Sequence, residues 1–174
     1  MKQFTRLLAV LVATLALGLR SAAQTNEFSS DTISVGVVVN DLNKSLEFYT
    51  KVIGMKKVGG FSVNADMGKR TGLTGGVPVD ITILRLGDSK TATDWKLMSF
   101  GPAANGVKKE RIQDGRGPQY ITLNVKALKP FLARLKEHNV KLLGDTPIPL
   151  GGTTMFAVVQ DPDGTFVELI GPME

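Results

Sequence analysis

The chain has 174 residues, 43% of them hydrophobic, with 21 basic and 16 acidic side chains, a net charge of +5, one histidine and no cysteine. The missing cysteine excludes a disulfide framework, a thiol nucleophile and a cysteine-linked lipid anchor, and a lone histidine near a helix end excludes a Ser-His-Asp arrangement. Lys2 and Arg6 precede an apolar run from Leu7 to Leu19, and Ser21, Ala22 and Ala23 then supply a small-x-small pattern before Gln24. Residues 1–23 therefore read as a secretory signal peptide, the run being short for a membrane span; an uncleaved anchor is the alternative. The expected location is periplasmic or secreted, with no membrane contact after cleavage. Cleavage removes Lys2, Arg6 and Arg20 and no acidic residue, which lowers the net charge from +5 to +2. No basic stripe interleaved with aromatics is present, so nucleic acid is not an expected partner.

Residues 24–30 are polar and read as a flexible lead-in. From Ile33 to Val39 β-branched residues alternate with smaller ones, which predicts a strand. Asp41 suits an N-cap, the spacing of Leu42, Leu46, Tyr49 and Val52 predicts a helix, and Gly54 ends it. Strands are expected over 55–63, 79–86 and 95–100. The Gly-rich basic stretch 64–78 lacks the Gly-Lys-Ser/Thr ending of a phosphate loop and reads as a mobile flap. Residues 103–118 read as a linker. Strand 120–125 and a helix through Leu128, Leu132 and Leu135 follow, with Pro130 tolerated in the first turn. Strands are then expected over 141–143 and 153–159. Asp161, Pro162, Asp163 and Gly164 form a turn whose Asp side chains bond local backbone, and a strand follows from Phe166 to Ile170.

This order states strand, helix and three strands twice. The fold expected is α+β: two βαβββ modules, 31–102 and 119–172, within one domain spanning 31–172, pairing into a curved, cup-like mixed sheet. One side of each curved sheet is left uncovered, so two modules should enclose a shared cleft. They can pair within one chain or be exchanged between two chains of a homodimer, since the linker permits either.

The order of elements, the segment VNDLNKSLEFYTKVIGM and the terminal DPDGTFVELIGP resemble the vicinal oxygen chelate superfamily, which includes glyoxalase I, bleomycin-resistance proteins and extradiol dioxygenases. The resemblance covers about Asp31 to Gly171. In metal-dependent members it implies ligands on the first and last strands of each half. Matched by motif, those positions here are Ser34, Lys96, Tyr120 and Glu168, and only Glu168 fits the pattern. His138 lies at a helix end and reads as solvated. No metal or other cofactor is therefore expected. Instead, Lys96 and Glu168 are expected to form an ion pair inside the cup, with Tyr120 and Ser34 beside it; a Lys96 reaching outward and a strand-end Glu168 in solvent are the plainer alternatives. Alternation aims Val38, Met98, Phe100, Thr122, Asn124, Phe166 and Ile170 at the same cleft, a mostly apolar lining suited to a small organic ligand. The resemblance thus implies a metal-free ligand-binding protein. Two catalytic alternatives remain: a glyoxalase-like metal-dependent lyase, isomerase or dioxygenase, and a metal-free enzyme with Glu168 as base and Lys96 or Tyr120 as its electrophilic partner.

Overall fold

The computed structural model describes residues 27–30, 32–89, 91–101 and 109–174. The expected signal peptide and part of the expected linker lie outside the described residues, and residues 27–30 carry no helix or strand. From Thr32 onward, strand β1 (Ser34–Val38) packs Val35 and Val37 against the core and leaves Ser34, Gly36 and Val38 exposed, as a period of two requires. Asp41 caps helix α1 (Leu42–Glu47), its carboxylate accepting from the N–H groups of Asn43 and Lys44 at 3.0 and 3.1 Å. The helix widens into a π turn over Phe48–Ile53, which buries Phe48, Tyr49, Val52 and Ile53 and ends at Gly54 with φ 91°.

Strand β2 (Lys56–Val63), helix α2 (Ala65–Arg70), β3 (Val79–Arg85) and β4 (Asp94–Met98) complete the first module. Its sheet runs β1-β4-β3-β2, with β1 parallel to β4 and the other pairs antiparallel. The second module repeats the plan with β5 (Tyr120–Asn124), α3 (Lys129–Glu137), β6 (Ile148–Gly151), β7 (Thr154–Gln160) and β8 (Phe166–Pro172), in the order β5-β8-β7-β6. The architecture is α+β, two βαβββ modules, each with its own four-stranded mixed sheet.

Two stretches differ from the sequence expectation. Residues 64–78 are not wholly irregular: Asn64 caps α2 by accepting from the Met67 N–H at 2.9 Å. The strand expected over 141–143 lies instead at β6, where Pro149 is tolerated because β6 is a sheet edge.

One core serves both modules. Leu84, Trp95 and Leu97 of the first sheet and Leu123, Val159, Val167 and Leu169 of the second join a single cluster with Tyr49, Val52 and Leu135. The strand residues among them all stand on the helix side of their sheets. The opposite faces, bearing Ser34, Gly36 and Val38 in one module and Tyr120, Thr122 and Asn124 in the other, remain exposed.

Candidate functional site

On the open face of the first module, register decides which side chains meet. Leu84 pairs with Trp95 across β3 and β4, so the next residues, Arg85 and Asp94, stand together on the open side. Arg85 Nε donates to Asp94 Oδ1 at 2.5 Å, and Ser34 Oγ donates to Asp94 Oδ2 at 3.5 Å. The Arg85 hydrogen bond, with smaller help from the charges of Arg85 and Lys96, holds the Asp94 carboxyl below the ordinary carboxylate range despite its partial burial. Lys96 lies two residues along the same face of β4, opposite Gly36 of β1. Val38 and Phe100 add apolar surface at 62% and 44% exposure, and Met98 is half-buried.

The second module carries the counterpart. Glu168 of β8 pairs in register with Thr122 of β5, whose hydroxyl donates to Glu168 Oε2 at 2.6 Å. Tyr120 and Asn124 flank Thr122 and are exposed, and Ile170 is half-buried. Phe166, on the same face as Glu168 and paired with Tyr120, is only 5% exposed and so offers that face little free surface.

Ser34 and Lys96 thus share one sheet, and Tyr120 and Glu168 the other. Among the described residues no ion pair joins Lys96 to Glu168; the expected pair does not form within one chain, because the modules meet through their helix sides. No three His, Cys, Asp or Glu side chains of the described residues gather as a metal-binding group. His138 caps the end of α3, half-buried, with Nδ1 3.5 Å from Glu47 Oε1. Arg85 and Asp94 escaped the sequence reading; the signal was available in the hairpin, whose register places residue 85 across from residue 94.

The turn from Asp161 to Gly164 does more than reverse the chain. Asp161 Oδ1 accepts locally from the N–H groups of Asp163 and Thr165, at 2.9 and 2.7 Å. Its other oxygen accepts from the buried Tyr49 hydroxyl of the first module at 2.8 Å. Asp163 accepts from the Asn40 side chain at 2.7 Å and from Ser45 Oγ at 3.1 Å. The turn is a polar latch between modules, and Asp161 and Tyr49 are occupied in it rather than offered to a ligand.

The model of the Glyoxalase/Bleomycin resistance protein/Dioxygenase superfamily matches residues 32–169. Lactoylglutathione lyases of Escherichia coli O157:H7 and Shigella flexneri are each 29% identical over 133 residues, covering 76% of this chain and 85% of theirs. Among solved structures, a glyoxalase family protein from Bacillus cereus superposes with a TM-score of 0.71 at 17% identity, covering 88% of this chain and 100% of its own. The trypanothione-dependent glyoxalase I of Leishmania major reaches a TM-score of 0.53 at 24% identity, over 79% of this chain and 84% of that one. At such identities the two structures speak for the fold, while the family match spans most of the chain. The protein belongs to the glyoxalase/bleomycin resistance protein/dioxygenase superfamily.

Proposed function

We propose that this chain is an exported protein that binds a small organic ligand without a resident metal ion, in a cup formed when the open face of its first module meets the open face of a second module from another copy. The observation that carries the reading is the donor set. A divalent ion between the halves would have to be held by Ser34, Lys96, Tyr120 and Glu168, which offer one carboxylate, a cation and two neutral hydroxyls. Lys96 repels a cation, the Ser34 hydroxyl and Glu168 already have partners in Asp94 and Thr122, and neither imidazole nor thiolate stands among the four. These residues do not fit a divalent metal. They suit a polar organic molecule, with Lys96 and Tyr120 to receive its oxygens and Val38, Met98 and Phe100 to cover its apolar part.

Native mass spectrometry with elemental analysis, on protein purified from its own compartment, tests this. The expected result is a dimer free of stoichiometric divalent metal, starting at Gln24. The similarity to lactoylglutathione lyases favours the rival reading, a metal-dependent enzyme with Glu168 as its protein carboxylate ligand. One metal per chain, lost in Glu168→Ala together with metal-stimulated turnover of an α-oxo thiohemiacetal, would establish that rival and end the binding-protein reading.

A further inference from the structure

We propose a second small-molecule site, beyond the cup just described: a cavity at the helix-side junction of the two modules that takes an organic carboxylate with an apolar body. The cavity has a volume of about 610 Å³, within the range of small-molecule pockets. Lys51, Lys126 and Arg134 line it with no acidic side chain, over apolar surface that includes Ile53, Leu123 and Phe131. A lining that combines cations, no acid and hydrocarbon is complementary to an amphipathic anion.

Arg134 supplies the recognition geometry. Its Nε donates to the Val52 carbonyl at 2.7 Å, and its guanidinium carbon lies 4.4 Å from the centre of the Phe131 ring. The Val52 carbonyl belongs to the last turn before Gly54, where carbonyls lack intrahelical partners, so the contact also caps that helix. Capping uses one N–H and leaves the Nη1 and Nη2 fork without a protein acceptor among the described residues. Gly54 sits beside the fork: a Cβ there would make only van der Waals contact with Arg134 Nη2 at 3.8 Å, and the φ of 91° disfavours any other residue. A planar guanidinium, stacked on a ring and anchored at one nitrogen, is pre-set for the two parallel hydrogen bonds that a carboxylate accepts.

The test uses the full mature chain and three probes, 2-naphthoate, octanoate and the neutral 2-naphthamide, with calorimetry and backbone amide shifts read together. The site predicts saturable binding of at least one carboxylate, with shifts at residues 50–54 and 123–134, and weaker binding of the amide. Lys51→Gln/Lys126→Gln, which leaves the helix cap intact, and Arg134→Lys, which still donates to Val52, should each weaken that carboxylate about tenfold. Lys69→Gln, on α2 and outside both sites, should leave its affinity unaltered. The site is refuted by failure of both carboxylates to bind at about one millimolar, by equal affinity for naphthoate and naphthamide, or by binding that Lys96→Met abolishes while the double variant retains it.

Discussion

Burial raises the Asp161 carboxyl above its ordinary value, and the hydrogen bonds from Tyr49, Thr165 and Asp163 offset that only in part. A native carboxyl that holds its proton more tightly than the unfolded one favours folding on the acid side. Its contribution is full below the unfolded value of 3.8 and is lost as pH rises through the raised folded value. Asp94 works in the opposite sense: the Arg85 hydrogen bond lowers it, so its contribution is present above 3.8 and fades in acid. The two trends oppose each other in the whole protein, so the informative quantity is a difference. Urea unfolding of wild type and Asp161→Asn, from about pH 7 down to about pH 4, should show wild type gaining on the variant towards acid; a gain towards neutral pH contradicts the assignment. Tyr49→Phe removes the only side-chain donor of that pair and should cost about 2 kcal/mol, read from the urea midpoint at constant slope. The local half of the latch was readable from Asp161-Pro162-Asp163-Gly164, because Asx turns follow from neighbouring residues. Its partners Asn40, Ser45 and Tyr49 lie more than a hundred residues away in sequence, and no local pattern announces them.

Two neighbouring glycines in β2 show how closely the strands are fitted. A Cβ at Gly60 would come 2.5 Å from the Ile81 carbonyl oxygen, whereas one at Gly59, beside the shift in register, meets nothing within 4 Å. Gly60→Ala must displace backbone and should destabilise by roughly 1–3 kcal/mol, while Gly59→Ala should be neutral or stabilising by up to about 1 kcal/mol. Chemical denaturation of the two variants side by side checks the contrast; equal effects would mean that β2 and β3 do not approach as described. Helices α1 and α3 and most strands could be read from periodicity and caps, since Asp41, Gly54 and Pro130 are strong local signals, whereas α2 was hidden in a Gly-rich stretch. The strand β6 could not, because Pro149 argues against a strand unless the strand is known to be an edge, and edges are set by sheet order. The Arg85–Asp94 pair was hidden for a similar reason: side-chain period places each on a face, and only register makes them neighbours.

Alternation along β1, β4, β5 and β8 identified the open faces, but the direction in which two such faces turn depends on how the helix sides pack. That packing rests on contacts far apart in sequence, such as Arg134 on the Val52 carbonyl. The consequence is an unfinished surface on each module. In one, Lys96 stands near the Arg85–Asp94 pair with Val38 and Phe100 exposed; in the other, Glu168 stands near the exposed Tyr120. The charges are opposite, so a second copy can close each face with the unlike module of its partner. In the proposed dimer Lys96 of one chain would meet Glu168 of the other, the pair that one chain alone does not form. Reversing one charge should therefore weaken association and reversing both should restore it. By light scattering at about 50 μM the wild type should be dimeric, Lys96→Glu should shift towards monomer by about tenfold in Kd, and Lys96→Glu/Glu168→Lys should recover most of the loss. A monomeric wild type, or a double variant no better than the single one, would leave both faces open to solvent and remove the cup on which ligand binding depends.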